Sequence, residues 1–485
     1  MSRGLQARPS YPSRAVRRQG IPPEEADHPS GRPPLPLWTA PSSSDSVRRP
    51  RDTVRADSPH YFPSAVPQVM DRPQPDETAI RQETDTPLER VADGVFLLLA
   101  AALPWSIAPM SIATGICAAL TLIVWVRRPG RWPVTPVLVP TVLWAVALLL
   151  SAGFALDRSA SLPRLAKGLF PLLVPLAATH VRRARAGRQA LTVLLVSAAL
   201  AALFGLALYL AGGASYPSRA RGAVGHYMTF GGQLLVFTSV AAGLAVLARG
   251  WRWRLGALAT ALAGCAALAA TFTRSAWLGL AVALATLLGL TRPRWLPALA
   301  AVLLAALALA PATYRARALS AFDPRHPSNL ERTYMWQGGL AMLRDRPLTG
   351  VGLQDMKPLY DRYRPPQARE RAGHLHSVPV QIAASMGLVG LAAFVLLYGS
   401  LFVAAARGLR PMVARGGPAA GLRAGVTAAL AGFLVAGLFE WNLGDEELLY
   451  PLFTLVGMAW AARRWGEEPA APAPPASAAP AGPRP

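Results

Sequence analysis

Apolar and polar residues along this chain are segregated into long blocks. From Val91 onward, apolar runs close to bilayer length alternate with short polar connections, a pattern that predicts membrane-crossing helices and an all-α fold. Twelve spans can be read, approximately 91–107, 109–126, 134–155, 164–180, 189–211, 227–248, 255–272, 276–290, 295–312, 378–405, 420–438 and 448–462. Pro104 and Pro109 place a turn inside the first long apolar stretch, and Pro171 and Pro175 predict kinks or ends. One polar segment is long, from about Thr313 to Ser377. Its Tyr334, Trp336, Tyr360 and Tyr363 give it the composition of a small folded element. Within it QGGLAMLRDR (337–346) reads as a short amphipathic helix and RPLTGVG (346–352) as a Pro/Gly turn.

The flanks read differently. Residues 1–88 are rich in Pro, Arg, Ser and Asp without apolar periodicity, so they are expected to be a disordered tail, with Met70 as an alternative start. Residues 466–485 form a second, Pro/Ala-rich tail. The membrane domain is therefore expected to span 89–465.

Charge orients the spans. The connections after even-numbered spans read VRRPGR (126–131), VRRARAGR (181–188), RGWRWR (249–254), TRPR (291–294), RGLRPMVARGG (407–417) and ARRW (462–465), whereas EWNLGDEE (440–447) before the last span is acidic. Basic short loops stay in the cytoplasm, which predicts both termini inside, the 313–377 loop outside and, in a bacterium, an inner-membrane location. The net charge of +23 is not a nucleic-acid signature, because residues 1–90 hold 13 basic and 12 acidic side chains and the excess lies in loops facing lipid headgroups. Cys117 and Cys265 each lie in an apolar run without metal-ligand spacing.

Three places break the apolar pattern on the predicted outer side. SYPSRARGAVGHYMTFGG (215–232) brings Arg219, Arg221 and His226 to the membrane boundary, either as interfacial anchors or as an anion site where Gly222 and Gly225 let a phosphate approach. In TFTRSAWLGL (271–280), Arg274 joins two apolar runs with almost no loop. An ionisable group there is expensive unless it faces a cavity or a partner. In AGHLHSVPVQ (372–381), His376 stands where the long loop enters an apolar helix, and an imidazole beside arginines is suited to accept a hydroxyl proton. His374 is secondary, since two residues away on a helix it would point elsewhere.

RARGAVGHYMTFGG (219–232), TRSAWLGL (273–280), ERTYMWQGGLAMLRDRPLTGVG (331–352) and HLHSVPVQIAASMGLVGL (374–391), in that order around a long loop, resemble the bacterial O-antigen ligase and polymerase family. The resemblance covers about residues 200–405. It implies transfer of a glycan from undecaprenyl diphosphate to an acceptor hydroxyl, lipid A-core for a ligase, at the periplasmic face. It puts the family's loop histidine on His376, its arginine before the Trp-containing helix on Arg274, and its other arginine on Arg219 or Arg221. Arg332, His226 and His374 are supporting candidates. Many members have Asn where this chain has Ser377, which leaves the acceptor geometry open.

The long loop carries no Asp-x-Asp-like carboxylate pair, so the diphosphate charge is expected to be met by arginine, without metal or cofactor. Ligase, chain polymerase and protein O-glycosylating transferase share these motifs. A small-anion or bicarbonate transporter is the alternative from another class, and it would need broken helices with charge near the bilayer midplane. A membrane scaffold would tolerate replacement of Arg274 and His376.

Overall fold

The computed structural model describes residues 86–214 and 216–465. The expected tails, apart from residues 86–88, lie outside the described residues. Among those described, all the regular secondary structure is helical. In order come α1 (Pro87–Ala102), α2 (Ile107–Arg127), α3 (Leu138–Gly153), α4 (Arg158–Ser161), a 3-10 segment (Leu162–Leu172), α5 (Leu173–His180), α6 (Ala184–Ala211), α7 (Tyr227–Leu247), α8 (Trp251–Ala270), α9 (Arg274–Thr291) and α10 (Leu296–Leu309). The long loop contributes α11 (Ala312–Leu319), α12 (Pro327–Asp345) and α13 (Met356–Tyr363), and α14 (Val378–Ala406), α15 (Leu409–Arg415), α16 (Pro418–Gly437) and α17 (Glu446–Ala461) complete the bundle.

Each of the twelve predicted spans is helical, but they are not equal. Among the described residues, seven helices are long and apolar enough to cross a membrane, or up to eight if the pair Pro293–Leu309 and Ala312–Leu319, bent by 120°, is one span. α3 is apolar but shorter. The predicted span at 164–180 is broken: Pro163 and Pro171 lie in a 3-10 segment that hands over to the eight-residue α5.

Local chemistry sets the helix starts. The first helix opens at Pro87 because Thr86 and Glu89 form a reciprocal capping box: the Glu89 amide donates to Thr86 Oγ1 (3.2 Å) and the Thr86 amide to Glu89 Oε2 (2.8 Å). Deeper in the bundle α7 packs on α16 where Gly421 and Gly425 face Gly243. A Cβ on Gly243 would lie 2.4 Å from the Gly421 carbonyl oxygen, so small residues at this four-residue spacing let the two backbones touch.

The bundle has two chemically distinct ends. At one end the basic connections meet. Arg249 donates to the Arg415 carbonyl, the fully buried Arg423 donates to the Ala405 and Arg407 carbonyls, Arg131 pairs with Glu89, and Trp465 donates to the Val181 carbonyl. At the other end lies the long loop. Its α12 and α13 enclose their own core of Met335, Met342, Val351, Met356, Tyr360 and Leu375. α12 is longer than the sequence pattern indicated, because Pro327 at its first turn and His326 at its N-cap start it ten residues earlier than Gln337.

The loop is braced against α14. Gly387 inside that helix has φ 64° and Gly350 in the RPLTGVG turn has φ 68°. The broken helix and the turn exchange backbone hydrogen bonds: Val351 N to Ala384 O (2.9 Å), Gly352 N to Ser385 O (3.0 Å) and Leu388 N to Pro347 O (2.8 Å). A side chain at either glycine would need the left-handed region and would meet backbone atoms within 2.4 Å. The clasp fixes the segment 351–377 over the end of the bundle.

Candidate active site

The segment 372–377 runs without helix into α14, and His376 adopts the left-handed region with φ 46°. A non-glycine residue held there is strained and persists only where its surroundings hold it. Here the partner is Glu440, from the short connection between α16 and α17. His376 Nδ1 lies 2.9 Å from Glu440 Oε1 and 3.1 Å from Oε2. His374 Nε2 approaches Oε1 at 3.2 Å, and the two imidazole centroids are 4.2 Å apart. The sequence argument that His374 points elsewhere assumed a helix. In this non-helical segment the two rings instead converge on one carboxylate.

Glu440 is almost fully buried. Burial by itself pushes its carboxyl up, but hydrogen bonds from His374 and His376, with their charge, outweigh burial and hold the group well below the usual carboxylate range. The Trp441 amide also donates to Oε1, and Arg332 on α12 stands 3.6 Å from Oε2. An ionised carboxylate only accepts, so a neutral His376 carries its proton on Nδ1. That leaves Nε2 as the free acceptor, the orientation a general base requires.

Beside this pair stands an arginine cluster. The turn Thr271–Thr273 between α8 and α9 is as tight as expected, and Phe272 in it has φ 51°. Arg274 at the first position of α9 has found partners in the long loop. Nη1 donates to Ser320 O (2.7 Å) and Ser320 Oγ (2.9 Å), and Nη2 to Ser328 Oγ and Asn329 Oδ1 (both 2.8 Å). Arg219, Arg317 and Arg332 all lie close enough to act on its charge. Arg317 donates to the Phe272 carbonyl (3.3 Å), and Arg219 lies 4.2 Å from the Tyr227 ring centroid. His326, at the N-cap of α12, has its imidazole pKa lowered by burial and then by Arg274 and Arg317, and its Nδ1 accepts from the Ser328 amide.

The structure separates the two arginines the sequence left open. Arg219 turns toward the cluster, whereas Arg221 is exposed to solvent. Gly222 serves aromatic packing: a Cβ there would lie 2.6 Å from the Phe230 ring. His226 is exposed at the rim and reaches Thr229 Oγ1 at 3.3 Å, and Thr229 donates to Asp445 (2.7 Å). Burial raises the Asp445 carboxyl, opposed by the Thr229 bond and reinforced by Glu440. Ser377, at the N-cap of α14, makes no side-chain capping bond.

Glu440 and Arg317 were not singled out in the sequence. Glu440 had been read only as part of an acidic connection. The usable signal was the one that picked His376, an ionisable residue one turn from an apolar run.

His374, His376 and Glu440 offer ligand atoms within 4.8 Å of one another, so they could hold a divalent cation. Arg332 beside the carboxylate and the surrounding cationic side chains oppose one electrostatically.

A multi-pass helical membrane protein with a histidine–carboxylate pair beside an arginine cluster, roofed by a folded loop, is the class that fold and site define. Residues 257–395 match the family model described as O-antigen ligase, which supports the resemblance seen in the motifs. The matched region holds Arg274, Arg317, Arg332, His374 and His376, while Arg219 and Glu440 lie outside it. No curated protein matches the chain. That family implies glycan transfer of the O-antigen ligase kind.

Proposed function

We propose that this protein transfers a glycan from an undecaprenyl-diphosphate-linked donor to a hydroxyl acceptor at the periplasmic face of the bacterial inner membrane, with lipid A-core as the acceptor and both termini in the cytoplasm. The observation that carries the reading is the His376–Glu440 contact of 2.9 Å beside an arginine cluster. His376 Nε2 takes the acceptor hydroxyl proton as that oxygen attacks the anomeric carbon. The bond from that carbon to the diphosphate oxygen breaks, and its electron pair leaves with the polyprenyl diphosphate. Arg219, Arg317 and Arg332 neutralise the departing charge, and Arg274 holds the long loop that carries Arg317 and Arg332 and adds to the field. Glu440 fixes the His376 tautomer and stabilises the imidazolium that forms, as the third member of a catalytic triad does. The arginines supply the counter-charge a metal would otherwise supply, so the reaction is proposed to be metal-independent.

The test is transfer from a purified polyprenyl-diphosphate glycan to lipid A-core in liposomes, with chelator present. Wild-type protein is expected to work and His376→Ala to lose transfer. Activity that vanishes with chelator would replace the metal-free step with a cation at His374, His376 and Glu440. Deletion in the source bacterium separates the acceptors. Loss of long glycan on lipid A-core fits a ligase, single repeats on the core fit a polymerase, and an unchanged glycan profile rejects the transferase reading.

A further inference from the structure

At the basic end, far from His376, four arginines surround a recess of about 910 Å³. They come from four separate places in the chain: Arg188 near the start of α6, Arg249 between α7 and α8, Arg415 at the end of α15 and Arg463 after α17. Among the described residues no carboxylate lines the recess. Arg249 Nη2 donates to the Arg415 carbonyl, which ties one connection to the other, and Arg463 lies 3.1 Å from the Trp460 ring centroid. The exposed guanidinium groups of Arg188 and Arg415 have no hydrogen-bond or ion-pair partner among the described residues. Like charges gathered in this way repel one another, and an anion seated between them relieves the repulsion.

A second recess, of about 1160 Å³, begins at Gly250, the chain neighbour of Arg249, and follows α7 and α8. Its lining is apolar, with Val246, Trp251, Leu255 and Leu258, of which the last three are 70%, 57% and 48% exposed. Arg254 gives it a polar rim, where Nε donates to the Ala248 carbonyl at 2.9 Å. Val246 of this groove and Met412 of the basic recess pack against the same apolar cluster, so the two hollows adjoin.

A basic recess alone would suit any phosphate. An apolar groove beside it selects an amphiphile, with its phosphate among the arginines and a hydrocarbon chain along the groove. We propose that the two recesses together bind an anionic phospholipid. Arg188, Arg249 and Arg415 grip its phosphate, for which the guanidinium fork is well matched, and one acyl chain lies against α7 and α8. The lipid bridges α6, the α7–α8 connection and the α15–α16 turn, so its binding stabilises the bundle. The proposal does not depend on the transfer reaction.

The experiment titrates the full chain in detergent with phosphatidylglycerol, read by native mass spectrometry and by melting temperature. Phosphatidylglycerol is expected to bind and to raise the melting temperature, and equal phosphatidylcholine to do neither. Phosphatidylglycerol with a diazirine in one acyl chain should label residues 245–258. Arg188→Gln and Arg415→Gln should each weaken binding about 5-fold, the scale of one basic residue at a membrane surface. The double variant Arg292→Gln/Arg294→Gln, at the exposed connection after α9, should bind like wild type, and so should Glu467→Gln/Glu468→Gln. Four outcomes each overturn the proposal. Labels spread evenly over the lipid-facing helices, or equal weakening by the Arg292/Arg294 pair, would show attraction to surface charge in general. Full displacement by equal inorganic phosphate, without label in 245–258, would make this a site for a free anion. Tighter binding in Glu467→Gln/Glu468→Gln would make the chain's own carboxylates the occupant. If an arginine variant unfolds, the wild-type label map and the phosphatidylcholine comparison decide.

Discussion

Two histidine–carboxylate pairs stand at opposite ends of this bundle. At the loop-bearing end His376 meets Glu440 at 2.9 Å, and at the basic end His180 meets Asp93 at 2.7 Å. As pairs they are nearly interchangeable. Their surroundings differ. His180 is buried at the end of α5, stacked on Phe96 at 5.3 Å, and its Nε2 is taken by Thr121 at 2.8 Å. Both ring nitrogens are therefore committed to the protein. His376 is strained, partly exposed and flanked by arginines, and its Nε2 has no partner among the described residues. A paired histidine becomes a candidate base when one nitrogen is left over and charge waits beside it; with both nitrogens used it is a packing element.

The comparison breaks first at His376. Replacing it by Ala should cut glycan transfer by ~10²–10⁴-fold, the usual share of general-base catalysis, with little change in melting temperature. Wild-type turnover in that variant would end the base assignment. Glu440→Gln should come next, at about 10²-fold. The glutamine amide would donate to Nδ1 and drive the His376 proton onto Nε2, the wrong tautomer, an effect known to be severe in catalytic triads. Unchanged kcat in E440Q would mean that the carboxylate does not set the tautomer. At the other end, His180→Ala should cost about 1–3 kcal/mol of stability, because the buried Thr121 hydroxyl loses its partner. Transfer per folded molecule should stay at the wild-type level, and a loss there without a fall in melting temperature would make the basic end functional too.

The smallest effect is in acid. Because the Glu440 carboxyl is depressed on folding, its stabilising contribution is fully present above about pH 4.5, its ordinary value, and is lost as pH falls through the lower folded-state value. The stability gap between wild type and E440Q should thus be flat from pH 7 to pH 5 and narrow only below pH 4.5. Asp445, raised by burial and further by Glu440, carries the opposite sign, and in E440Q it loses the share that comes from Glu440. A gap that closes already between pH 7 and pH 5 would show that Glu440 is not held ionised by the two histidines.

Apolar runs were enough to locate the helices long enough to cross a membrane, because burial in lipid leaves few other readings of an 18-residue apolar run such as Arg274–Thr291. They did not reveal the break at Gly387, since glycine in an apolar run is also ordinary close packing. The local motifs exposed His376 and Arg274 as expensive residues at a boundary. What they lacked was the partner across the fold. Glu440 is 64 residues from His376, and Ser320 is 46 from Arg274, so no window of sequence brings either pair together. The basic recess was hidden for the same reason, as its arginines come from four connections far apart in the chain, each of which alone reads as an ordinary basic loop.

The joint between Gly350 and Gly387 has a consequence for how the chain is made. The turn at 346–352 leaves the ribosome before the helix it braces, so in the proposed orientation the helix emerges to find its splint already on the far side of the membrane. Until the two meet, the amides of Leu388 and Val389 have no acceptor, because those acceptors are Pro347 and Leu348. A half-inserted α14 would therefore carry open backbone donors into lipid, which is costly enough to make export of the preceding loop a precondition for seating this helix. Delayed translocation of residues 313–377 should then appear as a trapped insertion intermediate, a checkpoint in biogenesis that links the arrival of the roof to the completion of the floor.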